Sequence, residues 1–168
     1  MSASTPIPNL EEMQEPHSIH EGELDRTDVR SLLDQHFREM RAGSPPSACH
    51  VMPADSLDRP DIIFLSLRGQ SGELRAVGAL RRLEPGHGEI KSMRATDSAR
   101  GTGAGRAMLH ALTSRARDEE MTRLYLETGN DEMFAPALAL YRSAGFVECG
   151  PFSDYRPTDF TVFLTREI

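Results

Sequence analysis

The segment Ser98-Ala99-Arg100-Gly101-Thr102-Gly103-Ala104-Gly105-Arg106 carries three glycines at alternate positions. Before it, Glu89-Ile90-Lys91-Ser92-Met93-Arg94-Ala95 alternates in polarity and reads as a strand. After it, Ala104, Ala107, Met108, Ala111 and Leu112 fall on one face at helical spacing. A strand, a glycine turn and a helix start gather several backbone N–H groups around one point. The helix dipole adds roughly +0.5 charge there. Such a place binds anions and suits a pyrophosphate. It is not a Walker loop, because no Gly-Lys-Ser/Thr follows. Nor is it the dinucleotide fingerprint, whose third glycine would fall at Arg106. Taken alone, the glycines are weak evidence, since three of them also suffice for a plain tight turn.

Composition narrows the class. The 168 residues are 38% hydrophobic and 27% charged, which fits one globular domain. Residues 1–16 are polar, with Pro6, Pro8 and Pro16, and read as a flexible tail. Residues 17–168 form the domain. No apolar run approaches the ~20 residues that cross a bilayer. No basic start with an apolar core marks a secretion signal. Cys49 and Cys149 read as reduced thiols, so a cytoplasmic location is expected. The net charge of −7 argues against nucleic acid and is compatible with an amine substrate. The six histidines contain no H-x-x-x-H pair, and no metal site is predicted. Of 19 basic residues only Lys91 is a lysine.

In chain order, residues 17–24 read as a strand. A helix starting at Thr27 or Asp28 places Val29, Leu32, Leu33, Phe37 and Met40 on one face and ends at Gly43, before Pro45 and Pro46. Residues 62–68 and 74–83 form a hairpin. A second turn, residues 84–88, leads into the strand at Glu89. A helix from Thr102 to about Glu119 follows, then a strand over 123–127. Pro136 suits a helix start and Gly145 its C-terminal cap. Residues 146–149 and 160–165 close the sheet.

Arg100-x-x-Gly103-x-Gly105 resembles the R/Q-x-x-G-x-G/A pyrophosphate loop of the GNAT acetyltransferase superfamily. Ala137-Leu138-Ala139-Leu140-Tyr141-Arg142-Ser143-Ala144-Gly145-Phe146 is similar to its second signature, A-x-x-L-Y-x-x-x-G-F. The likeness covers residues 60–168 well and the first 60 poorly, and is strongest to small bacterial members. It implies an α+β, α/β/α-layered fold with a mixed, mostly antiparallel sheet and helices on both faces. The strands ending at Ala95 and Gly129 would splay, and the pantetheine arm of acetyl-CoA would lie between them.

The resemblance also implies site residues. The acetyl-CoA contacts are Met93, Arg94 and Ala95 on the strand, Arg100, Gly101, Thr102, Gly103, Ala104, Gly105 and Arg106 at the loop, and Asn130 and Ala137 beyond. Tyr141 would protonate the departing thiolate. Glu89 would be the base, with Glu127 its rival or a substrate contact. Arg41, Ser44 and His50 would border the acceptor pocket. Phe152 and Tyr155 would wall it or form a homodimer contact. Strand alternation, absent a bulge, places Glu89, Lys91 and Met93 on one face. Lys91 would then pair with Glu89 or with a substrate carboxylate. The implied activity is transfer of acetyl to a small-molecule or peptide amine by direct attack. The alternative is a non-catalytic acyl-CoA sensor of the same fold.

Overall fold

The computed structural model describes residues 16–168. The predicted tail, residues 1–16, lies outside the described residues but for Pro16. The elements are β1 (His17–Glu21), α1 (Thr27–Gly43), β2 (Ile62–Gly69), β3 (Leu74–Arg82), β4 (His87–Ala95), α2 (Ala104–Asp118), β5 (Arg123–Gly129), α3 (Ala135–Ser143), β6 (Val147–Cys149) and β7 (Thr161–Glu167). Among the described residues, seven strands make one sheet in the order β1-β2-β3-β4-β5-β7-β6. Only β4 and β5 run parallel; the other neighbours are antiparallel.

The run Ile62–Leu65 is apolar on both faces because both faces are covered. On one face α1 packs Val29, Leu32 and Leu33 against Phe64, Val77 and Ala79. On the other, Met108 and Leu112 of α2 pack against Leu80, Ile90, Leu124 and Leu126. Tyr141 and Leu138 bring α3 to that second face. The layered α+β fold and mostly antiparallel mixed sheet are those expected. Gly78 allows the close approach of α2, since a Cβ there would lie 2.8 Å from Leu112 Cδ1. Among the described residues no helix is long and apolar enough to cross a membrane.

Two departures bear on the site. First, β4 is bulged. Ala79 pairs with Lys91 while Val77 pairs with Arg94, so β4 carries one extra residue, and Ser92 has φ 51°. The bulge resets the alternation. Glu89 and Lys91 lie together, but Met93 packs against the core on the α2 face. The expectation that Met93 shares their face is therefore corrected. Second, α2 begins at Ala104, not Thr102. Gly101 and Gly103 have φ of 75° and 89°, which no helix accepts.

Arg68 anchors α1 to the sheet. It is 4% exposed, donates through Nε to Glu23 (2.9 Å) and through Nη1 to Asp28 (2.7 Å). Hydrogen bonds from Arg68 hold the Asp28 carboxyl below its usual range. Burial pushes Glu23 up, but the hydrogen bonds from Ser66 and Arg68 outweigh it and leave it lowered. Lowered carboxyls contribute stability that is present above their unfolded pKa, near 4, and is lost as pH falls. Thermal melting between pH 6 and pH 3 is expected to show Tm falling for the wild type. Arg68→Met should start lower and fall less steeply.

Candidate active site

β4 and β5 pair only over His87–Ile90 and Arg123–Leu126. Beyond this the bulge at Ser92 turns β4, and the two strands part. Their facing edges carry backbone groups that need partners. Residues 91–95 and 127–129 flank a cleft of about 660 Å³.

The glycine loop closes one end. Arg100, Gly101, Gly103, Ala104 and Gly105 all line the cleft. Gly103 is the N-cap of α2 and brings no capping side chain, so the N–H groups of the first turn stay uncovered. Thr102 is turned away. Its hydroxyl accepts from Arg75 (2.8 Å) and donates to the Ala99 carbonyl (2.5 Å), tying the loop to β3. Arg106 reaches Ser143 on α3 (3.2 Å), and Asn130 donates to the Asp159 carbonyl (2.6 Å). Arg94 lines the cleft, but its guanidinium is engaged by Glu39 of α1 (2.5 Å) and by Asp97 (3.5 Å).

Tyr141 and Ala137 of α3 line the wall nearest the loop. The Tyr141 ring is buried edge-on against Phe146, and burial pushes its phenol up to about 12. It is a neutral O–H donor at any physiological pH.

The opposite end holds the carboxylates. Glu89 is 1% exposed. Its Oε2 accepts from the Tyr155 hydroxyl (2.5 Å) and lies 3.5 Å from Lys91 Nζ; its Oε1 lies 3.5 Å from Arg81. Lys91 in turn donates to the Tyr155 oxygen (2.7 Å). Burial, then the Glu89 charge, drive the Tyr155 phenol far above its ordinary value. Tyr155 itself packs against Phe152 and Phe163. Glu127 projects from the splayed end of β5 and lies 3.3 Å from His50 Nδ1. Burial raises the Glu127 carboxyl, and the hydrogen bond from His50 opposes the rise. His36 of α1 also lines the cleft; burial and the nearby Arg94 pull it down to about 4, so it is neutral.

Glu89, Lys91, Glu127, Ser44 and His50 thus gather at one cleft with Tyr141. Tyr155 stands behind Lys91 and Glu89. Arg41 lies outside, stacked over Phe37 at 5.4 Å. Sequence reading overlooked Arg81 and His36. Arg81 sits directly across from Glu89 in the β3–β4 register. The turn lies at residues 83–86 rather than 84–88, and that shift of register hid the pairing.

A sheet parted beside a glycine-built helix start is the architecture of the acyl-CoA N-acyltransferases, and the comparisons with known proteins agree. The chain belongs to the acetyltransferase (GNAT) family, whose model matches residues 27–146. It is 39% identical over 140 residues to the uncharacterized N-acetyltransferase YsnE of Bacillus subtilis, covering 83% of this chain and 92% of that one. It is 36% identical over 141 residues to an IAA acetyltransferase of Azospirillum brasilense, covering 83% and 90%. A crystal structure described as an acyl-CoA N-acyltransferase of Klebsiella pneumoniae superposes with a TM-score of 0.70 at 26% identity, over 90% of this chain and 97% of the other. The chain is an acyltransferase of this family.

Proposed function

We propose that the protein transfers acetyl from acetyl-CoA to the nitrogen of a small-molecule or peptide amine, by direct attack with both substrates bound in the cleft. The observation that carries this reading is the parting of β4 from β5 after Ile90 and Leu126, beside the uncovered N–H groups at Gly103–Gly105. The unpaired edge of β4 fits the amides of pantetheine, and the start of α2 fits the diphosphate. A backbone N–H near Met93, at the bulge, is placed to receive the developing oxyanion.

The proton inventory follows from the side chains. The thioester sulfur leaves as a thiolate, and Tyr141 is the neutral donor beside it. Both carboxylates line the cleft, but Glu89 is 1% exposed and held by Tyr155, Lys91 and Arg81, whereas Glu127 has 15% of its side chain exposed and His50 as its partner. The acceptor-side base is therefore assigned to Glu127 and the group bonded to it, and Glu89 to holding Lys91 and Tyr155. Lys91 lines the cleft beside Glu89 and is assigned to an acceptor carboxylate.

The test is thiol release from acetyl-CoA with a panel of amines, beside calorimetric CoA binding. Release with at least one amine supports the reading. Binding without release from any acceptor would replace it with an acyl-CoA sensor. Tyr141→Phe is expected to lower kcat by about 10²-fold or more at unchanged KM for acetyl-CoA. A kcat within twofold of the wild type would remove Tyr141 from proton transfer.

A further inference from the structure

We propose that His50 accepts the proton from the acceptor amine and that Glu127 holds its imidazole for the task. The proposal rests on the transferase reading above and refines the base within it. His50 comes from the loop after the short turn Pro46–Ala48. Its Nδ1 lies 3.3 Å from Glu127 Oε1, and both residues line the cleft. A carboxylate can only accept, so Nδ1 carries the proton and Nε2 is left with the free lone pair. The ring is fixed a second time, edge-to-face on Tyr155 with centroids 4.9 Å apart. A carboxylate on one nitrogen and an aromatic wall beside the ring orient an imidazole as a base requires.

The charged groups that face His50 come from several elements. Glu127 faces it from β5. From β4 come Glu89 and Lys91, joined through Tyr155, and Arg81 of β3 also engages Glu89. Lys91 and Arg81 thus answer the charge on Glu89, which leaves Glu127 to His50. From α1, Glu39 is matched by Arg94, and His36 is neutral. Glu89 is 1% exposed and its Oε2 is taken by Tyr155. The side chain of His50 is 29% exposed and is the more accessible of the two.

The step balances within this set. The amine nitrogen bonds to the acetyl carbon, and its surplus proton moves to His50 Nε2. The carbon–sulfur bond breaks, and the thiolate takes the proton of Tyr141. Solvent exchange then returns a proton from His50 to the Tyr141 phenolate.

Two measurements on the full chain test the proposal. In the first, the ring protons of His50 are titrated by NMR, assigned by their loss in His50→Gln. Glu127→Gln should lower the midpoint, because the carboxylate that stabilises the imidazolium is gone. An unmoved midpoint would overturn the pairing. In the second, acetyl-CoA hydrolysis, with water standing in for the amine, is followed by thiol release against pH. His50→Gln should slow it about 10²-fold and abolish the fall in rate on the acid side, with KM for acetyl-CoA unchanged. Glu127→Gln should move that acid limb to lower pH. Retention of the limb in His50→Gln overturns the proposal. So does its loss in Glu127→Gln alone, which would make Glu127 itself the base. If the wild type binds CoA but releases thiol to neither water nor any amine, the transferase reading falls and this refinement falls with it.

Discussion

Gly103→Val binds CoA at least ~10²-fold more weakly than the wild type, while its melting temperature drops by only a few degrees; this is the largest binding effect expected of any single substitution. Two consequences of the added side chain have to be separated. The first is strain. Gly103 has φ 89°, and a β-branched residue held there costs about 1–2 kcal/mol. For a chain of this size each kcal/mol lowers Tm by roughly 2–4 °C. The second is occlusion. A Cβ at Gly103 would meet no protein atom within 4 Å, so the protein itself does not clash. The new side chain stands at the N-cap, beside the first-turn N–H groups of α2 where the diphosphate is to be received. A 10²-fold loss corresponds to about 2.7 kcal/mol. Gly72 supplies the control. It lies in the β2–β3 turn, has φ 82°, and a Cβ there also meets nothing within 4 Å. It takes no part in lining the cleft. Gly72→Val should carry the same strain and the same modest drop in Tm, with CoA affinity intact. Isothermal titration with CoA reads the difference. If Gly103→Val holds CoA as the wild type does, the start of α2 is not the diphosphate site.

The legibility of this site in the sequence divides along the range of the interactions. The glycine loop was legible because its constraint is local: positive φ at alternate residues next to a strand and a helix demands Gly101 and Gly103 whatever the rest of the chain does. The helix of residues 27–43 was legible because its apolar spacing is strict, and it ends at Gly43 as read. The face of Met93 was not, because a bulge depends on how two strands accommodate each other. Nothing in Lys91-Ser92-Met93 announces that Ser92 takes φ 51°. The partners of Glu89 were half legible. Lys91 lies two residues away on the same strand, but Tyr155 and Arg81 come from other elements. The His50–Glu127 contact spans 77 residues, and only the folded chain brings the two together.

That division bears directly on Glu89, whose loss is expected to have the largest effect on stability. A carboxylate at this position of a strand reads naturally as a base. In the fold it is the most enclosed charge of the site, at 1% exposure, and three groups depend on it. Lys91 has 8% of its side chain exposed and relies on Glu89 and the Tyr155 oxygen. Arg81 divides itself between Glu89 and Asp61, each at 3.5 Å. Removing one partner of a buried charge set leaves the others desolvated without compensation, which costs about 3–5 kcal/mol. Glu89→Ala is accordingly expected to lose that much in denaturant unfolding, with an unchanged m-value marking the same exposed surface. Glu89→Gln keeps an acceptor for the Tyr155 hydroxyl and should lose less. Glu127→Ala, which leaves one histidine partner that is itself partly exposed, should lose clearly less than Glu89→Ala. The two carboxylates would then separate cleanly, Glu89 by stability and Glu127 by rate. If instead Glu89→Ala unfolds at the wild-type denaturant midpoint and loses only turnover, Lys91 and Arg81 do not need it. Glu89 would then return as the base, in place of the pair across the cleft.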